Sequence, residues 1–189
     1  MSERNTLVRS MHDLGLDAWF GGSLMGAVGL NGAASAAADP NERLTLSSKG
    51  WGMWAPVNAA AIGTHVIGSV GLIAGNKARL MSQPEAMQNT IVKSVLTVVA
   101  AGMTAYSGML GAKVAKEAQR GGEGAAGPAP QGAMGATEPS PGASASLKAV
   151  QKQLKALQWA IPLVTGTLVV LGAQQGEQQR PLARRRPRR

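Results

Sequence analysis

The chain has 189 residues, no cysteine and a formal net charge of +9. The lack of cysteine excludes disulfides, thiolate nucleophiles and thiolate metal sites. Aromatic residues make up only 3% of the chain although 44% of it is hydrophobic, so a water-soluble core would have little large side-chain area to bury. The Ala-, Gly- and Arg-rich composition is typical of a high-GC bacterial source.

Four long apolar stretches dominate the sequence, at residues 14–38, 51–75, 91–112 and 156–173. A helix rises 1.5 Å per residue, so about 20 apolar residues cross a hydrocarbon core about 30 Å thick. The second stretch contains no Asp, Glu, Lys or Arg. The pattern predicts an all-α, multi-pass membrane protein, built as a four-helix transmembrane bundle with a disordered loop and a basic C-terminal tail.

The first apolar stretch has two interpretations. A retained helix would end at Asp39-Pro40, because proline disfavours helix in the residue before it. The alternative is a cleaved signal peptide over residues 1–38, with small residues at 34–38 as its cleavage site. Asp17 interrupts the hydrophobic region and the run is longer than a usual signal sequence, which favours the retained helix.

Short polar loops are predicted at 39–50 and 76–90, so residues 1–117 would hold three transmembrane helices. The next stretch, 118–146, is rich in Gly, Ala, Pro and Ser. Such a composition buries too little surface to offset chain entropy, and we expect disorder there.

The fourth span follows an amphipathic basic helix, and together they occupy residues 147–175. Apolar residues spaced three and four apart form one stripe and lysines form another; they are Leu147, Val150, Leu154 and Leu157, with Lys148, Lys152 and Lys155. Residues 176–189 are predicted to be a basic cytoplasmic tail.

The predicted location is the plasma membrane, with both termini in the cytoplasm. Four spans place the two ends on one side, and the densest Arg cluster lies in the tail, as the positive-inside rule requires. Tryptophans near the start of spans are expected at the membrane interfaces; they are Trp19, Trp51, Trp54 and Trp159.

His65 is the main candidate for function, because it lies near the middle of the second span, where polar groups need a partner or a cavity. It would be a proton relay, metal ligand or substrate contact, or else a neutral imidazole hydrogen-bonded to Tyr106 or Thr104. The other histidine, His12, is expected outside the membrane, and a lone histidine makes a poor metal site. The remaining candidate polar residues are Asp17, Asn58 and Tyr106.

Small residues recur at four-residue spacing inside the spans. Lipid tails are as apolar as leucine, so membrane helices associate mainly through close backbone approach and polar contacts. We expect these residues to pack the helices of one chain together, with a dimerisation face as the alternative. The predicted packing glycines are Gly22, Gly26, Gly71, Gly75 and Gly108.

The basic tail is predicted to contact anionic lipid headgroups. Nucleic acid is not an expected partner, because no stacking aromatic residues are interleaved with the arginines. The predicted lipid-contacting residues are Arg184, Arg185, Arg186, Arg188 and Arg189.

Enzyme signatures such as G-x-S-x-G, H-E-x-x-H and the Walker loop are missing from the sequence. We therefore expect no catalytic activity, cofactor or metal. The leading hypothesis is a subunit, scaffold or accessory of a membrane assembly, in contact with lipid and with copies of itself or other membrane proteins. The alternative is a small oligomeric transporter or channel that uses His65.

Overall fold

The computed structural model describes residues 6–122, 137–139 and 143–178. This part of the chain is helical and contains no strand, so the all-α prediction is confirmed. The elements are α1 Thr6–Met25, a π-helical turn Gly26–Leu30, α2 Asn31–Ser35, α3 Pro40–Gly75, α4 Lys77–Ser82, α5 Pro84–Gly122 and α6 Ala145–Gln178.

Three helices are long and apolar enough to cross a membrane: α3, α5 and α6. They contain 36, 39 and 34 residues, so each exceeds the roughly 20 residues that a span needs. They include the second, third and fourth apolar stretches. The first apolar stretch is divided among α1, the π-helical turn and α2. Helix α1 also includes polar residues that precede this stretch, and these lower the mean hydropathy of the helix.

The polar segments between spans are mostly helical, unlike the predicted loops at 39–50 and 76–90. Helix α3 begins at Pro40, whose fixed φ and missing N–H suit a first helical position. Only Asn76 and Gln83 separate α3, α4 and α5. Charged and polar residues therefore bound the apolar stretches without ending the helices.

Part of the low-complexity stretch is also helical, since α5 extends to Gly122 and α6 begins at Ala145. The prediction of disorder within 118–146 otherwise concerns residues 123–136 and 140–142, which lie outside the described residues. The same holds for the tail from residue 179 onward, including Arg184, Arg185, Arg186, Arg188 and Arg189.

Helix α1 lies antiparallel along α3. Val8 packs against Gly71 near the end of α3, and Leu30 packs against Gly50 near its beginning. Helix α1 also contacts α6, while α5 contacts both α3 and α6. The core lies between α1, α5 and α6, and its buried residues are Leu16, Trp19, Ala100 and Leu168.

Trp19 is fully buried, at 0% exposure, and its Nε1 donates to Thr104 Oγ1 at 3.1 Å. The prediction that all four tryptophans lie at interfaces is therefore wrong for Trp19. The reason is that α1 begins at Thr6, before the apolar stretch does, so Trp19 lies well inside the helix. Trp159 of α6, by contrast, is half exposed.

Candidate functional site

The crossing of α1 and α3 is formed by two His-x-x-Gly sequences. One is His12 to Gly15 in α1, and the other is His65 to Gly68 in α3. A Cβ at Gly15 would lie 2.5 Å from the His65 backbone nitrogen, and a Cβ at Gly68 would overlap the backbone of His12. Each glycine thus contacts the backbone of the other helix's histidine. Glycine is required here because a side chain would hold the two backbones apart.

The two histidine rings meet at this crossing. Their centroids lie 4.5 Å apart with a tilt of 47°, and His65 is only 1% exposed. His65 Nδ1 donates to the backbone oxygen of His12 at 3.0 Å. A carbonyl only accepts, so in the neutral ring the proton is held at Nδ1. His65 Nε2 is then an acceptor for the hydroxyl of Thr97, 3.4 Å away in α5.

These contacts differ from the prediction for His65. It is not a lone histidine, because His12 lies beside it within the helix packing. In the described structure, neither expected partner, Tyr106 or Thr104, hydrogen-bonds its ring; the α5 contact is Thr97. The repeated His-x-x-Gly spacing was the available signal, but sequence reasoning did not use it.

A series of ionisable groups leads from the surface to His65. Asp13 accepts a hydrogen bond from His12 Nδ1 at 2.7 Å, and the exposed fraction of the side chain is 57% for Asp13 and 12% for His12. The His12 ring in turn contacts the buried His65 ring. Asp13, His12 and His65 therefore form a series of side-chain contacts from an exposed carboxylate to a buried ring.

A cavity of about 270 Å³ adjoins this pair. Along α3 its lining extends from His65 to Ile73, Asn76 follows in the link to α4, and α1, α4, α5 and α6 supply its other walls. Three cations line it, Arg9, Arg79 and Lys93, and no Asp or Glu of the described chain does. Its neutral polar lining residues are Ser69, Asn76, Thr90, Ser94, Thr97 and Gln175.

Two of the three cavity cations have neutral hydrogen-bond partners. The ammonium of Lys93 donates to Oε1 of Gln175 in α6, and Arg79 Nε donates to Oε1 of Gln83 at 2.9 Å. Arg9 is exposed. Within residues 6–122, 137–139 and 143–178, no carboxylate forms an ion pair with any of the three. The cavity is therefore electropositive.

The other predicted polar candidates lie apart from this cavity. Asp17 is exposed. Asn58 is buried, and its Oδ1 has no hydrogen-bond partner in the described part of the chain. Tyr106 donates its hydroxyl proton to Oε1 of Gln153 in α6. The structure does not bring these residues together with His65.

The predicted packing glycines have unequal surroundings. In α1, a Cβ at Gly22 would overlap the ring of Trp54, and one at Gly26, the first residue of the π-helical turn, would overlap the ring of Trp51. A Cβ at Gly108 in α5 would meet nothing within 4 Å. Gly71 packs against Val8, whereas Gly75 is the exposed last residue of α3.

Asn31 forms a polar cluster that the sequence analysis missed. It follows the π-helical turn and is only 7% exposed. Its Oδ1 accepts from Ser47 Oγ at 3.1 Å and from Trp51 Nε1 at 3.0 Å, while its Nδ2 donates to Gln158 Oε1 at 2.8 Å. The side chain therefore connects α2 with α3 and α6. The available signal was a single amide within an Ala- and Gly-rich run.

The described residues contain no group of three or more His, Cys, Asp or Glu arranged to hold a metal ion. Comparison of the chain with protein-family models, curated proteins and solved structures finds no match in any of the three.

Proposed function

We propose that the chain is an integral plasma-membrane protein in which α1, the π-helical turn and α2 form a fourth span. The supporting observation is that Val8 lies beside Gly71 while Leu30 lies beside Gly50. This alignment corresponds to about 33 Å of helix, close to the thickness of the hydrocarbon core. An even number of spans places both termini on one side, and the arginine-rich tail favours the cytoplasm.

The same packing supports retention of residues 1–38 in the mature protein. Leu16 and Trp19 belong to the buried core, and Gly15 makes the close approach to α3. Cleavage as a signal peptide would remove these contacts and expose the polar groups that pair with them.

The function we propose is that of a non-enzymatic subunit, scaffold or accessory of a membrane assembly, acting through helix–helix contacts. A row of small residues on α5 carries this proposal. Its members follow helical spacing of four, three and four, and they are Ala101, Ala105, Gly108 and Ala112. The last three are exposed, and the space around Gly108 is open. Close approach at such a row is how membrane helices associate, so the partner is a helix of a second copy or of another membrane protein.

The absence of cysteine makes a clean crosslinking experiment possible. Gly108→Cys is compared in native membranes with Met109→Cys, whose parent side chain is 59% exposed. The two positions have nearly the same depth but differ by about 100° around the helix. We expect an oxidative disulfide or a crosslinked partner at Gly108→Cys alone. Equal crosslinking at both positions, or a strictly monomeric protein with no co-purifying membrane partner, contradicts the proposal.

A second candidate is a small oligomeric transporter or channel that uses His65. It is favoured by the cavity, which reaches the histidine pair from the end of α3. The α5 residues lining the cavity continue at helical spacing into the small-residue row, as Thr90, Ser94, Thr97, Ala101 and Ala105.

Flux through proteoliposomes tests this second candidate. We expect flux that depends on pH and that His65→Ala abolishes, while the exposed control Asp17→Asn retains it. Unchanged flux in His65→Ala rejects the role of the histidine.

A further inference from the structure

The cations around the cavity have no described carboxylate beside them in its lining, although the Asp13 carboxylate lies close enough to attract Lys93. Arg9, Arg79 and Lys93 come from three different helices, and no described carboxylate lines the cavity with them. Like charges near a low-dielectric wall repel one another more strongly than they do in water. A bound anion would relieve this repulsion, and the helices already hold the cations in place.

We propose that the cavity binds a phosphate-bearing anion. Arg and Lys are the side chains that recognise phosphate most strongly, through charge-assisted hydrogen bonds. Ser94 adds a hydroxyl donor to the same wall, whereas the hydroxyl of Thr90 donates to the backbone oxygen of Ala86 at 2.9 Å. The cavity therefore offers both the charge and a neutral donor that phosphate oxygens accept from.

The size of the cavity suits a small ligand. Its volume of about 270 Å³ is several times the volume that one water occupies in the liquid, about 30 Å³. That space accommodates a phosphate with a substituent of glycerol size. The ligand is thus a small phosphate ester or the headgroup of an anionic lipid.

A lipid headgroup has a route into the cavity from the side. Val66 and Val70 of α3 and Val98 of α5 line the cavity, and they are 41%, 61% and 72% exposed. Acyl chains would lie outside against these valines, while the phosphate enters between the cations. Near the end of α3, Asn76 and Arg79 provide a polar opening for a water-soluble ester. Binding of either ligand does not depend on the proposed helix contact at the small-residue row of α5. It does not depend on transport activity either.

The test uses the full chain purified in dodecyl maltoside with two probes. Glycerol 3-phosphate is titrated by thermal shift against chloride at equal ionic strength. Phosphatidylglycerol retention is compared with phosphatidylcholine retention by native mass spectrometry. We expect Arg9→Gln and Lys93→Gln each to weaken binding at least tenfold. Lys77→Gln is the charge-matched control, because Lys77 is exposed on α4 and does not line the cavity, and it should change binding less than twofold.

Lys93→Arg is the control that separates loss of charge from misfolding at this position. It keeps the positive charge, so its binding should stay within twofold of that of the unsubstituted protein. Loss of phosphatidylglycerol alone in the cavity variants identifies a lipid headgroup, and loss of glycerol 3-phosphate alone identifies a soluble ester; both results support the proposal. It is overturned if neither probe binds in preference to its reference, or if Lys77→Gln weakens binding as much as Arg9→Gln does.

Discussion

Gly15 and Gly68 set the distance between α1 and α3, and that distance brings the histidine rings together. Alanine at Gly15 would place its Cβ 2.5 Å from a backbone atom, so the helices would have to separate. Overpacking of this kind costs about 1–3 kcal/mol. At Gly63, where a Cβ meets nothing within 4 Å, alanine should instead stabilise the helix by up to about 1 kcal/mol.

The measurement is thermal unfolding of the full chain in mild detergent. We expect a lower Tm for Gly15→Ala and Gly68→Ala, and an unchanged or higher Tm for Gly63→Ala. If the three substitutions shift Tm in the same direction, the close approach of α1 and α3 is wrong.

The hydrogen bond from His65 to the backbone of His12 makes a prediction about proton position. A carbonyl acceptor 3.0 Å from Nδ1 selects the neutral tautomer that carries its proton on Nδ1. Long-range ¹⁵N NMR of histidine-labelled protein in micelles should show this tautomer for His65. His65→Gln supplies the assignment, since its spectrum lacks the resonance. A proton observed on Nε2 would contradict the described geometry.

At the scale of elements, Asn31 ties α2 to α3 and α6 through one side chain. Asn31→Leu removes acceptor and donor together and leaves Ser47, Trp51 and Gln158 without that partner. Each buried polar group left unpaired costs about 1–3 kcal/mol in a soluble protein, and less in a membrane. We therefore expect a total loss of stability of about 1–3 kcal/mol, seen as a lower Tm.

Asn76→Leu is the matched comparison for this prediction. Asn76 is exposed, and its amide donates within its own chain segment to the backbone of Leu72. The substitution should change Tm little. Equal losses for the two asparagine variants would show that the Asn31 cluster contributes nothing particular to the packing of α2.

The three helices that are apolar enough to span a membrane, α3, α5 and α6, were predictable because a hydrocarbon core requires long apolar runs, and these are visible in sequence. The ends of these helices were not predictable, because a helix can extend through polar residues. Residues 40–50 illustrate this: they are polar and were expected to be a loop, yet they extend α3.

The site was predictable only in part. His65 stands out in sequence because an ionisable side chain within an apolar stretch is costly to place in a membrane and normally has a polar partner or faces a cavity. Its neighbour His12 does not, because its contact depends on the antiparallel alignment of α1 with α3. Arg9 is far in sequence from Arg79 and Lys93, so its approach to them is a property of packing alone.

At the scale of the whole molecule, the number of spans decides where the ends lie. If α1 and α2 cross the membrane, Thr6 shares a side with Ser82 of α4, opposite to Ser144. If they do not cross, Thr6 shares a side with Ser144. All three side chains are exposed, and the cysteine-free chain allows each to be labelled singly as Thr6→Cys, Ser82→Cys or Ser144→Cys.

A membrane-impermeant maleimide applied to intact cells reads out both the crossing and the orientation. With four spans and cytoplasmic termini, we expect label at Ser144→Cys in intact cells, and at Thr6→Cys and Ser82→Cys only after permeabilisation. If both Thr6→Cys and Ser144→Cys are labelled in intact cells, α1 does not cross the membrane. If all three positions show the opposite pattern, the protein has four spans but the termini lie outside the cell. A Thr6→Cys variant that gives no labelled product of full length under either condition would show that the first segment is cleaved, because the label would depart with residues 1–38.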